Sequence, residues 1–284
     1  MTTTELATIT QAEINELAAL TGADPSANMG TRTAELKINY SSEDADEVQL
    51  PLGQLFITQQ ETPAYAKNVK IRPLAMHYQY TDFDSDSNKM RSQTVKNLSF
   101  SEDFLDSTGG VRCGRPDSTT YKDMSDDRRE MYKSISCTRH VSCLVSYEGK
   151  DSSGKAITVE NVPAILRCKG ANFMGFDEQL YKKLPKGRKM WDYWAEISLK
   201  KEKKGSVTYY VMNYDIDLNN PVALDRTTID TIRYFAELVE SENGRIYETH
   251  KKALASKTQD SSTYDSISGG ADLDGDFANE DVPF

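Results

Sequence analysis

Four cysteines and three histidines are the residues of this chain best suited to metal chemistry. Cys113, Cys137, Cys143 and Cys168, with His140 among them, would offer zinc the sulfur and nitrogen ligands that it prefers. Structural zinc sites are usually built from close pairs such as C-x2-4-C, whereas 23, 5 and 24 residues separate these cysteines. On one straight strand, two cysteines six residues apart would lie about 20 Å from each other. We therefore predict reduced thiols and no cofactor, with zinc as the alternative.

Residues suited to acid–base catalysis are present, but no motif assembles them. The histidines are His77, His140 and His250, and the chain has no phosphate-binding loop, no H-E-x-x-H motif and no nucleophile elbow. Acid pairs such as Asp126 with Asp127 occur, but 44 acidic residues make such pairs expected by chance. We predict that the protein is not an enzyme.

Basic and aromatic side chains are interspersed along residues 167–204, a segment that contains eleven bases and five acids. A protein that binds a single nucleic-acid strand without reading its bases needs cations for the phosphates and aromatic rings for stacking. Within a predicted strand 190–199, Trp191 and Tyr193 share a face with apolar residues, whereas Trp194 lies with acidic and polar neighbours. This pattern favours Trp194 for stacking on DNA and places the other two in the core.

Further candidates follow the same logic on other segments. Arg112 and Arg115 flank a glycine-rich turn, and Phe173 and Phe176 flank Gly175. For the tyrosines near residue 80 and for the two phenylalanines, burial in the core is the alternative. The predicted single-strand contacts all carry a basic or aromatic side chain: Lys70, Arg72, Tyr78, Tyr80, Arg112, Arg115, Arg139, Arg167, Lys169, Phe173, Phe176, Lys182, Lys183, Lys186, Arg188, Lys189 and Trp194.

These residues lie mostly on segments with the composition of β-strands, rich in Val, Ile, Tyr and Thr. Turn residues separate the segments, and no long helix comes between them, which favours an antiparallel barrel or sandwich. The predicted strands are Leu52–Thr58, Lys67–Tyr80, Ile135–Tyr147, Lys155–Lys169, Met190–Leu199 and Val207–Ile216.

The two ends of the chain differ from this body. Thr10 and Glu13 have the spacing of a helix capping box, and the polar, acidic segment from Asp24 to Glu47 is expected to be a mobile or loosely attached arm. Apolar periodicity predicts two helical segments in 225–256, broken at Asn243-Gly244, and the polar composition beyond them predicts disorder. The resulting divisions are 1–49, 50–224, 225–256 and 257–284.

Charge is distributed unevenly along the chain, although its net value is −10. Residues 1–50 carry −7, residues 51–257 carry +4 and residues 258–284 carry −7. Such asymmetry points to a polyanionic partner for the basic middle or to an interaction tail. The net charge therefore does not exclude binding to nucleic acid.

The acidic end finishes in Val282-Pro283-Phe284, preceded by Asp274, Asp276, Glu280 and Asp281. An apolar pocket with a basic rim would accept the aromatic ring, the terminal carboxylate and the acids together. Burial of the ring contributes on the order of 1.5–3 kcal/mol, and the acids mainly raise the association rate. This tip is predicted to bind partner proteins.

The tip resembles that of bacterial and bacteriophage single-stranded-DNA-binding proteins, in which aspartates precede a hydrophobic residue, Pro and a final Phe. The body is longer than the bacterial form and adds the helical segment at 225–256, which favours a phage-encoded relative. The resemblance implies an OB-fold that binds single-stranded DNA, with a tail that recruits polymerase, primase-helicase or nuclease during replication, recombination and repair. Some phage members of the family carry zinc, which keeps the four cysteines as the alternative metal site.

Three alternatives stay open. The first is that the tail only aids solubility and does not recruit partners. The second is that the protein anneals complementary strands, and the third is that it is an adaptor that does not bind DNA. No segment approaches the roughly 18 consecutive apolar residues of a membrane helix, and the first base is Arg32, so we expect a soluble, cytoplasmic protein. The resemblance implies that the cytoplasm is that of a bacterial host.

Overall fold

The structure, a computed structural model, describes residues 33–40, 51–84, 87–99, 103–112, 122–127, 129 and 134–261. The predicted helix after Thr10, most of the acidic arm, Cys113, Arg115 and the C-terminal tip lie outside these residues. The described part is mainly β, with a sheet curled into a half-barrel and a long C-terminal helix. The prediction of a mainly β protein is confirmed at that level.

Ten strands and two α-helices make up the described part. The helices are α1 (Ala171–Gln179) and α2 (Arg226–Ser261), and short 3-10 turns cover Tyr181–Lys183 and Met190–Asp192. The strands are β1 (Glu35–Ile38), β2 (Leu55–Ile57), β3 (Asn68–Asp84), β4 (Lys89–Gln93), β5 (Phe104–Leu105), β6 (Val111–Arg112), β7 (Ile135–Lys150), β8 (Ala156–Cys168), β9 (Ala195–Lys204) and β10 (Val207–Ile216).

The main sheet has the order β10-β9-β3-β7-β8-β1-β2, and β4 pairs with the far end of β3. All its neighbouring pairs are antiparallel except β8 with β1. The register of the β3–β7 pair shifts between Pro73 and Ala75, where the proline has no N–H to give to the ladder. Such a bulge increases the local twist, which helps a strand of 17 residues to bend around the half-barrel.

Strand β1 corrects the prediction for the acidic arm. The segment Asp24–Glu47 was expected to be loosely attached, but Leu36 is buried and β1 pairs with both β2 and β8. Its alternating sequence Glu35-Leu36-Lys37-Ile38 is too short for periodicity to stand out from the polar residues around it.

The two faces of the sheet bury different clusters. The inner face of the half-barrel carries the larger one, which includes Ile71, Val141, Leu166 and Phe176. The outer face carries a smaller cluster of Leu74, Leu144, Ile165 and Phe235, with Phe235 supplied by α2. Strand β7 is therefore covered on both faces, which explains why its central residues are buried without alternation.

Helix α2 is continuous, so the predicted break at Asn243-Gly244 is wrong. The side chain of Asn243 accepts a hydrogen bond from the backbone N–H of Lys96 at 2.7 Å and donates one to its carbonyl at 2.9 Å. The residue that looked like a helix breaker thus fixes the helix to the loop after β4. The helix also continues to Ser261, beyond the predicted boundary at 257.

Gly244→Ala should stabilise the protein. A methyl group built at this position meets no other atom within 4 Å, so the substitution removes the glycine penalty inside a helix without a clash. We expect the free energy of unfolding to rise by about 0.5–1 kcal/mol, measured by urea denaturation. A fall in stability would contradict a continuous helix at this position.

The predicted strand Met190–Leu199 is only half correct. Residues 190–192 form a 3-10 turn, and strand β9 begins at Ala195 and continues to Lys204. The alternation argument therefore does not apply to Trp191, Tyr193 and Trp194. Among the described residues, no helix combines the length and the apolar composition required to cross a lipid bilayer.

Candidate nucleic-acid interface

A cavity of about 330 Å³ opens between the outer face of the sheet and α2, and we call it the helix–sheet groove. Its floor is formed by side chains at alternate positions of the paired strands β3 and β7, which project to the same face of the sheet. These floor residues are Gln79, Thr81, Thr138 and His140. One side is formed by the end of β8, and the opposite side by α2. The lining residues are Gln79, Thr81, Phe83, Met90, Gln93, Lys96, Thr138, His140, Arg167, Lys169, Glu242, Arg245 and Ile246.

Four cations line the groove against a single lining acid. Lys96 is buried and pairs with Glu242, and Arg167 pairs with Glu35 at 2.6 Å. Lys169 and Arg245 are exposed at the mouth, and within the described ranges neither forms an ion pair. These two cations are therefore available to an anionic ligand.

The pKa values of two histidines reflect burial and the positive charges near the groove. The pKa of His140 is held well below its usual range, first by burial and then by the charges of Lys96 and Arg167. The pKa of His77, its cross-strand neighbour, is also lowered by burial and by Lys96, against a smaller opposite effect of Glu242. Both imidazoles are therefore neutral at pH 7, mainly because they are buried, and the nearby cations that add to this effect would attract phosphate.

The floor contains polar atoms without partners. Thr138 is 1 % exposed and His140 is 6 % exposed. Among the residues that the structure describes, none forms a hydrogen bond with the Thr138 hydroxyl or with Nδ1 of His140 or His77. Buried polar groups of native proteins normally have a partner, so the unpaired atoms of Thr138 and His140 call for one, such as an ordered water or a ligand.

An apolar pair borders the basic lining. Phe83 and Met90 lie opposite each other on β3 and β4, and they are 42 % and 51 % exposed. The sequence prediction missed them because it ended one strand at Tyr80 and placed no strand between there and Ile135. The sequence did contain a signal for Phe83, because it is the next alternate residue after His77, Gln79 and Thr81 and therefore lies on the same face of the strand. Lys96 and Arg245 were also missed, because a loop and a helix bring them here from distant parts of the chain.

The structure brings two predicted contacts, Arg167 and Lys169, into the helix–sheet groove. It places others elsewhere on the surface. Lys70 is exposed but lies beside a shallow pocket lined by Glu148, Glu160 and Glu196, which does not favour phosphate. Arg112 is partly exposed on β6. Contact of either residue with DNA stays a prediction.

The basic segment after α1 is also on the surface. Lys182 pairs with Asp177 at 3.0 Å, and Arg188 lies 3.9 Å from Asp192. Such exposed pairs contribute little to stability and remain able to exchange partners. The exposed bases of this segment are Lys182, Lys183, Lys186, Arg188 and Lys189, and their predicted role is untested.

Arg72 is a structural residue, which corrects its prediction as a DNA contact. The side chain is 3 % exposed, and Nε donates to the Trp191 carbonyl at 2.7 Å. Its Nη2 donates to the Ala223 carbonyl at 2.9 Å, and Nη1 donates to the Thr228 hydroxyl at 3.3 Å. A guanidinium buried in this way holds the start of α2 on the sheet and has no access to phosphate.

Arg139 is also buried, at the end of the half-barrel that α1 closes. Its guanidinium carbon lies 4.4 Å from the ring centroid of Phe173 and 5.3 and 5.5 Å from those of Phe176 and Tyr78. Its Nη2 donates to Asp177 at 3.5 Å. This cation–π cluster stabilises the packing of α1.

Burial therefore contradicts the predicted DNA contacts of Arg139, Tyr78 and Phe176, and also of Tyr80, whose ring packs edge-on against Phe104. Phe173 is half-buried in the Arg139 cluster, as its alternative interpretation allowed.

Trp194 does not project from a strand as predicted. Its indole is half-buried and packs against the outer cluster of Leu74 and Phe235, as does Trp191. The two tryptophans are thus part of the support for α2. Tyr193 is buried, as the sequence pattern indicated.

The described cysteines lie in the main core and not in the groove. Cys143 and Cys168 are buried, and burial raises the pKa of Cys168 to about 11 and that of Cys143 further still. Thiols with raised pKa values are poor zinc ligands, because zinc binds the thiolate. Among the described residues, which exclude Cys113, no group of three or more His, Cys, Asp or Glu could hold a metal ion.

Comparisons with family models, curated proteins and solved structures find no match to this chain.

Proposed function

We propose that this protein binds single-stranded DNA through the helix–sheet groove and recruits replication, recombination and repair proteins through its acidic C-terminal tip. The observation that carries the proposal is the basic cavity bordered by the exposed pair Phe83 and Met90. Lys169 and Arg245 would bind phosphates, and Phe83 would stack on a base. A stacked base contributes about 1–3 kcal/mol.

The strand order supports an OB-like body. The strands β3, β7 and β8 form a meander, α1 follows, and the β9–β10 hairpin returns to pair with the start of β3. In OB-folds, the face of the second and third strands binds oligonucleotides. Here those strands are β7 and β8: β7 supplies Thr138 and His140 to the floor of the helix–sheet groove, and the end of β8 forms one of its sides.

The groove geometry favours a flexible strand over a rigid duplex. A cavity of about 330 Å³ has room for a splayed nucleotide, whereas a duplex would present its phosphates only along an outer surface. Three contacts from Arg167, Lys169 and Arg245 should give a slope of log affinity against log salt of about −2.

A titration of labelled single-stranded DNA, duplex DNA and RNA over a series of salt concentrations tests the proposal. We expect single-stranded DNA to bind more tightly than duplex, with the stated salt dependence. Comparable binding of duplex would favour a strand-annealing protein. No binding of any nucleic acid at low salt would overturn the proposal and favour an adaptor that works through its tail alone.

Deletion of residues 272–284 should strengthen DNA binding, because five acids of the tip compete with phosphate for the groove. Helix α2 ends roughly 24 Å beyond Arg245, and the 23 residues after Ser261 would span about 26 Å as a flexible chain. We expect the affinity at low salt to rise about fivefold and the effect to fade at high salt.

Fluorescence anisotropy of a labelled oligonucleotide measures this change. The matched control replaces Phe284 with Ala, which keeps the acids but removes the ring. It should abolish recruitment of partner proteins while leaving DNA affinity as in the full chain. An unchanged affinity for DNA on deletion of the tip would show that the tip does not compete with DNA for the groove.

A further inference from the structure

The helix–sheet groove separates charged from neutral polar groups. Its exposed cations lie at the mouth, where Lys169 and Arg245 are exposed and the Arg167 side chain is 51 % exposed, whereas the buried Lys96 is paired with Glu242. Its floor is neutral, since Thr138 carries no charge, and burial together with the surrounding cations lowers the pKa of His140 and keeps it unprotonated. A ligand that fits both parts has an anionic portion outside and a neutral polar portion inside.

The floor requires a partner that the described protein does not supply. The Thr138 hydroxyl and Nδ1 of His140 are buried without a hydrogen bond, and each such group costs about 1–3 kcal/mol. Both residues line the same cavity, and the two atoms are buried in its floor. A molecule that enters the cavity with complementary donors and acceptors would recover this cost.

A nucleobase edge has the required chemistry. Bases offer neutral donors and acceptors side by side, whereas a phosphate offers acceptors and charge only. A threonine hydroxyl and a neutral imidazole can each donate or accept one hydrogen bond. The volume of about 330 Å³ is near the lower end of the range for ligand pockets, about 300–1,000 Å³, and suits one nucleotide rather than several.

We infer that the floor of the helix–sheet groove recognises the edge of one nucleobase, and that Thr138 and His140 determine which base is preferred. The inference rests on the proposed function and adds selectivity to it. The base enters between β7 and α2, its edge meets the two floor residues, and its phosphate binds the cations at the mouth.

The experiment compares the affinities of the full chain for oligo-dT, oligo-dC and oligo-dA of equal length at one salt concentration. We expect the wild type to prefer one base about two- to tenfold, the range that a hydrogen bond to a neutral partner supports. Thr138→Val keeps the shape and removes the hydroxyl, so the preference should fall below about twofold. Thr138→Ser retains the hydroxyl and should restore the preference.

Thr138→Val should fold normally, because it removes a hydroxyl that has no partner. Thr158→Val, on an exposed part of β8 away from the groove, is the matched control and should leave the preference unchanged. Addition of free deoxynucleoside monophosphates distinguishes a free nucleotide from a nucleotide within a DNA strand as the ligand of the groove. Competition at low concentration would identify a free nucleotide as the ligand, whereas weak competition identifies a nucleotide within a strand.

Equal affinity of the wild type for the three oligonucleotides would overturn the inference and leave the proposed function intact. The same conclusion follows if Thr138→Val retains the wild-type preference, because the floor would then hold water only. Failure of the chain to bind any single strand would instead remove the proposed function itself.

Discussion

Reversing the two exposed cations of the groove, in the double variant K169E/R245E, should lower the affinity for single-stranded DNA by about 100-fold or more at low salt. Each cation is expected to make one charge-assisted hydrogen bond with phosphate, worth about 1.5–3 kcal/mol, and each acid adds repulsion. The slope of log affinity against log salt should also become shallower by about one unit or more. Fluorescence anisotropy over a salt series measures both quantities.

The matched control reverses Lys150 and Lys155, which are exposed at the β7–β8 hairpin. This pair changes the net charge by the same amount, but along β7 it lies roughly 40 Å from Thr138. The affinity of this variant for single-stranded DNA should fall by less than about threefold, because charges beyond the Debye length are screened. Equal losses in the two variants would mean that net charge matters and that the groove is not the binding site.

Phe235→Ala should lower the free energy of unfolding by about 3–5 kcal/mol, the usual cost of removing a buried aromatic ring. Phe235 is fully buried, and it is the residue through which α2 fills the outer cluster with Leu74, Leu144 and Ile165. The same helix supplies Glu242 and Arg245 to the groove, so the protein that remains folded should also bind DNA more weakly. Urea denaturation measures the first effect and the anisotropy assay the second.

Tyr247→Ala provides the control on the same helix, since Tyr247 is 40 % exposed. This variant should change stability by less than about 0.5 kcal/mol. A loss of less than about 1 kcal/mol in Phe235→Ala would show that α2 does not depend on the outer cluster for its position on the sheet.

The strands were the most predictable part of the fold. Strand β10 matches its prediction, and β3, β7 and β8 lie within four residues of theirs, because alternation and β-branched residues are local signals. The prediction over 190–199 was wrong in its first half, because residues 190–192 form a 3-10 turn, which has no period of two. The predicted break in α2 was wrong because Asn243 uses its side chain on the backbone of Lys96, a contact 147 residues away in the chain.

The candidate site was predicted only in part. Arg167 and Lys169 were identified because they belong to the most basic segment of the chain. Arg72 and Arg139, on other segments, were chosen because they are basic, yet both are buried by contacts that the sequence does not reveal. Phe83, Lys96 and Arg245 reach the groove from three separate elements, and no local pattern joins them.

The sequence by itself determined the mainly β class, the basic middle between acidic ends and the absence of recognised catalytic motifs, because each depends on composition or on neighbours along the chain. Tertiary structure alone decided which cations are exposed, which are structural and where the groove lies. Strand pairing and the docking of α2 bring together side chains up to 167 residues apart, such as Gln79 and Ile246. The sequence shows which charges the chain carries, and the packing of α2 on the sheet leaves Lys169 and Arg245 at the mouth of the groove while Arg72 is buried beneath the start of that helix.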